Sequence, residues 1–211
     1  MNEMKLIGIV GTNSSRSTNR QLLHYIQKHF SEQAEIEICE IKDLPAFNEP
    51  EEAVAPAAVK ELSDKLDEAD GVIISTPEYD HAIPAALKSA LEWLSYTTRP
   101  LIDKSVMIVG ASHGSLGSSR AQAHLRQILD APELKARIMP GMEFLLGRSL
   151  EAFDESGELV YGDKVTELEE CFEEFQLFVT LTNQLTKDQR FKTEQKRNFT
   201  WEQAVNGGIE K

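Results

Sequence analysis

Three short stretches of this 211-residue chain concentrate the residue types that hold and orient a small ligand. The first, Gly11-Thr12-Asn13-Ser14-Ser15-Arg16-Ser17-Thr18-Asn19, carries five hydroxyls, two amides and one guanidinium just before a segment of helical period. Free N–H groups at a helix N-terminus attract an anion together with the helix dipole, and an arginine adds a bidentate contact. Capping by Ser17 or Thr18 accounts for one or two hydroxyls, not for all five. The stretch holds neither the G-x-G-x-x-G of a dinucleotide site nor the G-K-[ST] of a nucleoside triphosphate site, which leaves a mononucleotide monophosphate.

The second stretch, Thr76-Pro77-Glu78-Tyr79-Asp80-His81-Ala82-Ile83-Pro84, is stiffened by a proline at each end. Pro84 opens the next helix, where its missing N–H costs little. Between the prolines the backbone is exposed and suits a wall against a flat ring. The third stretch, Ala111-Ser112-His113-Gly114-Ser115-Leu116-Gly117-Ser118-Ser119-Arg120, has the small residues that let a ligand approach the main chain. It also reads as a turn before a helix capped by Ser118 or Ser119. Other chemistries find no support. His24 and His29 are five apart on a helix, His124 has no neighbour of metal-ligand type, and no G-x-S-x-G elbow is present. No metal site, no hydrolytic nucleophile and no catalytic acid or base is expected.

Each stretch follows a short apolar run. Leu6–Val10, Val72–Ile74 and Val106–Val109 are continuous, as in strands buried on both faces. Residues 34–41 alternate apolar with acidic residues and fit an edge strand. Ala136–Met139, stopped by Pro140, fits the other edge. Between these runs lie helical stripes: Leu22, Leu23, Ile26 and Phe30; Val59, Leu62, Leu66 and Ala69; Ile83, Leu87, Ala90, Leu91 and Leu94; Leu125, Ile128 and Leu129; and Val165, Leu168, Phe172, Phe175, Val179 and Leu185. Alternation of this kind predicts an α/β fold with right-handed crossovers. Two edges at the second and fifth strands predict a five-stranded parallel sheet of order 2-1-3-4-5, the flavodoxin-like doubly wound arrangement with helices on both faces. In that order the three stretches leave the carboxyl ends of the first, third and fourth strands, beside the point where strand order reverses.

Composition narrows the rest. Apolar residues make up 41% and charged residues 27%, a globular balance, and the net charge of −13 repels nucleic-acid backbones. No apolar run reaches the roughly 20 residues that cross a bilayer, so no membrane partner is expected. The opening residues read as a strand rather than a secretory signal. Cys39 and Cys171 lie far apart and read as buried thiols of a cytoplasmic protein. Residues 1–185 form one predicted domain. Residues 186–211 are a polar tail with three aromatics, Phe191, Phe199 and Trp201. Its mild basicity gives it an electrostatic reason to lie back on the acidic body or on a neighbouring subunit, with packing across a dimer the expectation.

Taken together, the three stretches resemble the NADPH-dependent FMN reductases, a family that includes chromate, quinone and azo-dye reductases. Gly11, Ser17 and Asn19 fall at the first, seventh and ninth places of its G-S-x-R-x-x-S-x-N loop. The run T-P-E-Y-D-H-A-I-P-A-A-L-K-S-A-L-E-W-L-S at 76–95 meets its second motif, and Arg120, Leu125, Arg126 and Leu129 its third. The resemblance implies bound FMN, NADPH or NADH as hydride donor, and a small-molecule electron acceptor (quinone, flavin, azo compound or metal ion). It also implies a homodimer or homotetramer, with the Trp93 helix as a contact or a core element. By position, the phosphate contacts are Thr12, Ser14, Arg16, Ser17, Thr18 and Asn19. The ring contacts are Pro77, Glu78, Tyr79, Asp80, Ser112, His113 and Gly114.

Three departures stand out. The family's arginine falls at Ser14, with Arg16 two places later. Its asparagine is Asp80, which puts a carboxylate beside the ring. Ser118 replaces a common glycine, narrowing access to the flavin. The competing readings are a flavodoxin-type carrier that binds FMN without nicotinamide turnover, and a non-catalytic nucleotide-binding module.

Overall fold

The computed structural model describes residues 3–186. The elements run β1 Met4–Val10, α1 Thr18–His29, β2 Ala34–Glu40, α2 Ala57–Glu68, β3 Gly71–Ser75, α3 Ala85–Trp93, a π-helical turn Leu94–Thr98, β4 Ser105–Ala111, α4 Ser119–Leu129, β5 Arg137–Ile138, β6 Phe144–Leu146 and α5 Gly162–Thr186. All pairings are parallel, in the expected order β2-β1-β3-β4-β5. The fifth place is filled by two strands instead of one. β5 pairs only with Ser105 and Val106, and β6 takes over along Val109–Ala111. Pro140 has no N–H to donate and Gly141 turns at φ 79°, so the ladder breaks between them.

The apolar patterning places the two cores. Leu22, Leu23, Ile26 and Phe30 of the α1 segment pack with Leu168, Phe172, Phe175 and Val179 of α5 on one face of the sheet. The stripes of α2, α3 and α4 pack on the other. Each fully buried leucine or isoleucine contributes about 1.5–3 kcal/mol. The α5 stripe ends differently from its sequence pattern, because Leu185 is 69% exposed and Thr182 takes the buried place. Six residues from Val179 is about 600° of helix, which points Leu185 away from the sheet. Trp93 is a core residue, 4% exposed, donating Nε1–H to Pro45 O at 2.8 Å. The tail lies beyond the described residues apart from Thr186, so its expected contact with a partner is outside them too.

Strand register aligns the carboxyl ends. Val10 sits beside Ser75, and Ser75 beside Val109, so the loops after β1, β3 and β4 leave one edge together. Gly11 donates its N–H to Ser75 O at 2.8 Å, and a Cβ there would stand 2.7 Å from the same oxygen. Only glycine lets the first two loops start this close.

Candidate active site

The first loop is folded by its own hydroxyls. Thr12 Oγ1 accepts the Ser14 N–H (3.2 Å), Ser14 Oγ accepts the Arg16 N–H (3.3 Å), and Ser17 Oγ, the N-cap of α1, accepts the Arg20 N–H (3.2 Å). These local turns leave the N–H groups of Ser15, Ser17, Thr18 and Asn19 without an acceptor among the described residues. They are the orphan donors of a helix start, the kind of group that favours a bound anion.

Deeper bonds hold the loop in place. Asn19, 2% exposed, donates to Ala111 O (2.8 Å) and accepts from Ala111 N–H and Ser75 Oγ–H, both at 2.9 Å. One amide thus ties α1 to the ends of β3 and β4. Thr18 Oγ1 meets Ser149 Oγ at 2.8 Å. Arg20 donates to Ser14 O (2.7 Å) and to both oxygens of Glu40 (2.5 and 2.8 Å). The Arg20 hydrogen bond holds the Glu40 carboxyl below its ordinary value and raises the guanidinium in return.

The second loop is a tight hairpin. Tyr79 and Ala82 exchange N–H···O bonds at 3.0 and 2.9 Å, and Asp80 and His81 both sit in the left-handed region (φ 49° and 64°). That is a type I′ turn, where Asp and Asn are tolerated. The Tyr79 hydroxyl reaches back to Thr12 Oγ1 at 3.1 Å while its ring stays half exposed. Glu78 crosses to the third loop. Its carboxylate accepts the N–H groups of Arg120 (3.1 Å) and Ala121 (3.4 Å) and pairs with Arg120 Nε at 2.8 Å. The cap of α4 is therefore Glu78 and neither Ser118 nor Ser119. Ser118 is fully buried at φ 66°, makes no side-chain cap, and does not line the cavity. Its departure from glycine changes backbone strain and leaves access unaltered.

Between the loops lies a cavity of about 520 Å³. Ser14, Arg16, Ser17, Thr18 and Asn19 line one end, and Pro77, Glu78, Tyr79, Ser112, His113 and Gly114 the other. Two expected contacts lie off the wall. Thr12, 1% exposed, sits beneath it as the anchor of Tyr79 and Ser14, and the exposed Asp80 lies at the hairpin tip. Four lining residues were not singled out as contacts from sequence: Ala111, Ser115, Leu116 and Arg120. Arg120 stands in the third motif at the start of α4, so its position carried the signal. Ser149, by contrast, lies 131 residues from Thr18 and carried none. Among the described residues no group of His, Cys, Asp and Glu forms a metal site, and no helix is long and apolar enough to cross a membrane.

The residues present fit FMN. Orphan N–H groups, three hydroxyls and Arg16, which pairs with no carboxylate among the described residues, suit a phosphate dianion. A cradle of Pro77–Tyr79 and Ser112–Gly114, with open space at Gly114, suits a flat ring. A doubly wound sheet with such a crevice at its switch point defines a flavodoxin-like mononucleotide-binding protein. The model of the NADPH-dependent FMN reductase family matches residues 4–151, and the chain belongs to that family. It is an NAD(P)H-dependent oxidoreductase with FMN as its flavin.

Relatives agree. The chain is 58% identical over 199 residues to the NADH:(hydroxy)cinnamate reductase subunit CrdA of Vibrio ruber, covering 94% of this chain and 98% of that one. It is 44% identical over 181 residues to the NADH-dependent flavin reductase subunit 2 of Lactobacillus johnsonii, covering 83% and 97%. With the quinone reductase of Escherichia coli K12 it shares 33% over 163 residues, covering 75% and 86%. Among solved structures it resembles the NAD(P)H:acceptor oxidoreductase FerB of Paracoccus denitrificans, with a TM-score of 0.72, 25% identity and coverage of 86% and 98%.

Proposed function

We propose that this chain is the NADH-oxidising, FMN-bearing subunit of a two-component reductase, passing electrons to an acceptor handled by a second protein. Bound FMN supplies the hydride-accepting ring and the onward electron transfer. The chain's own residues bind and orient. The α1 N-terminus, Ser14, Ser17, Thr18 and Arg16 hold the phosphate. Pro77, Glu78 and Tyr79 wall one side of the ring, and Ser112, His113 and Gly114 the other. The observation that carries the reading is the open ring end, where Tyr79 and Leu116 are 48% and 51% exposed. Such an opening admits a nicotinamide and then a second acceptor in turn. Two relatives named as subunits of NADH-dependent reductases support a protein partner and NADH. Both thiols are free and buried, which supports a reducing, cytoplasmic setting.

Rapid mixing of the FMN-loaded chain with NADH and with NADPH tests the proposal. Reduction of the bound flavin by NADH should be much faster than steady-state turnover with a quinone. Quinone turnover as fast as flavin reduction would instead make the chain a self-sufficient quinone reductase, the second reading, which the Escherichia coli relative favours. No reduction by either nucleotide would leave a flavodoxin-type carrier.

A further inference from the structure

Thr12 stands in the first loop, where its position marks it as a phosphate contact, yet it is 1% exposed and does not line the cavity. Its main chain is pinned on the sheet: the Thr12 N–H donates to Val10 O and the Gly11 N–H to Ser75 O, each at 2.8 Å. From that fixed point Oγ1 meets two groups, the Ser14 N–H at 3.2 Å and the Tyr79 hydroxyl at 3.1 Å. Ser14 lines the phosphate end of the cavity and Tyr79 the ring end. Among the described residues, the contact with Tyr79 is the side-chain hydrogen bond that joins the first loop, 11–19, to the hairpin loop, 76–84.

Burial decides which of the two hydroxyls donates. The Ser14 N–H occupies one lone pair of Thr12 Oγ1, which leaves one O–H to give and one lone pair to share. If Tyr79 donated, the Thr12 O–H would be buried with no acceptor among the described residues, and a buried donor left unmade carries its full desolvation penalty. If Thr12 donates, the proton left over belongs to Tyr79, which is 48% exposed and borders the cavity. That arrangement strands nothing. We propose that Thr12 is a positioning residue: its hydroxyl donates to Tyr79, and the Tyr79 O–H is thereby left to the cavity as a hydrogen-bond donor to the bound FMN. The inference rests on FMN occupying this cavity. It makes the first loop set the ring wall directly, because the oxygen that closes the Ser14 turn also orients the phenol.

Titration of the whole chain with FMN, followed by flavin fluorescence, is the test. Tyr79→Phe keeps the ring and loses the proton, and should weaken FMN binding about threefold or more, the share of one neutral hydrogen bond. Thr12→Val keeps the shape and loses the hydroxyl, and should weaken it too, whereas Thr12→Ser should restore binding to near the wild-type value. The double variant Thr12→Val with Tyr79→Phe should lose less than the product of the two single losses, because Thr12 acts through Tyr79. A smaller loss than about threefold in Tyr79→Phe overturns the proposal, whether or not Thr12→Val folds. A double variant whose loss equals the product also overturns it, since Thr12 would then serve the Ser14 turn alone. So does a Thr12→Ser variant that binds as poorly as Thr12→Val. Arg16→Ala separates this failure from failure of the site. If it weakens FMN while Tyr79→Phe does not, the flavin lies in the cavity without the Tyr79 bond; if neither does, the flavin binds elsewhere.

Discussion

The two ends of the cavity are built on different principles. At the phosphate end the loop is short, its hydroxyls fold it locally, and buried bonds from Asn19 and Thr18 fasten it to β3, β4 and Ser149. At the ring end a hairpin and a small-residue loop touch mainly through Glu78 and Arg120, with Tyr79, Asp80 and Leu116 in solvent. One end is fixed by buried side-chain bonds. At the other, the third loop is tied to Leu146, Arg148 and Ser149 through main-chain bonds, and the hairpin joins it through the partly exposed Glu78 contacts. That difference suits a protein that keeps its flavin and exchanges what meets it.

The sharpest way to break the contrast is at Asn19. Asn19→Ala leaves Ser75 Oγ and the Ala111 N–H and C=O without their partner inside the protein. Each buried group left unpaired costs about 1–3 kcal/mol. We expect a loss near 3 kcal/mol, read as a melting temperature lower by about 6–12 °C for a domain this size. A variant as stable as wild type would mean that the phosphate end is held elsewhere. Next comes Arg16. A charge-assisted contact is worth about 1.5–3 kcal/mol, so Arg16→Ala should weaken FMN binding roughly 10–100-fold with little change in apoprotein stability. Binding within threefold of wild type would remove Arg16 from the cradle.

Smaller effects belong to the supports on either side. Glu78→Ala deletes the cap of α4, worth about 1 kcal/mol, and frees the ring wall. Its apoprotein should melt about 2–4 °C lower and its KM for NADH should rise. Unchanged values would make the cap ornamental to the site. On the phosphate side, Glu40 has a folded value below its ordinary 4.5. Its stabilisation is therefore present above the unfolded value near 4.5 and is lost as the pH falls through the lower folded one. Thermal melts of Glu40→Gln and wild type should differ at neutral pH and converge in acid. A constant gap would assign the effect to packing.

Legibility in the sequence followed the same divide. Strand order and all three loops were readable because continuous apolar runs and punctuating glycines and prolines are local signals. The split of the fifth strand was half readable. Pro140 marks the stop, but the resumption at Phe144 depends on pairing with Val109 across the sheet. Asn19 read as a phosphate contact, yet its side chain is occupied by Ala111 and Ser75, partners 92 and 56 residues away. Glu78 read as part of a wall and proved to be a helix cap as well, since only folding brings it to Arg120. Chemistry written in one segment can be read from that segment, while a bond between segments needs the register of the sheet.

Asp80 is the finest probe of the comparison. Its backbone role is settled by the type I′ turn, which Asp and Asn both accept, so Asp80→Asn should leave the fold unaltered. What remains is charge. A carboxylate near the ring disfavours electron uptake, so removing it should raise the flavin's midpoint potential. The side chain is exposed and does not line the cavity, so water screens it. Exposed charge interactions are worth a few tenths of a kcal/mol, and 30 mV corresponds to about 1.4 kcal/mol for two electrons. The expected rise is therefore about 10 mV, measured by equilibrating the bound flavin with a reference dye. A rise several times larger would place the carboxylate against the ring and make the hairpin tip part of the site. A fall would show that Asp80 acts through the position of Tyr79 rather than through its charge.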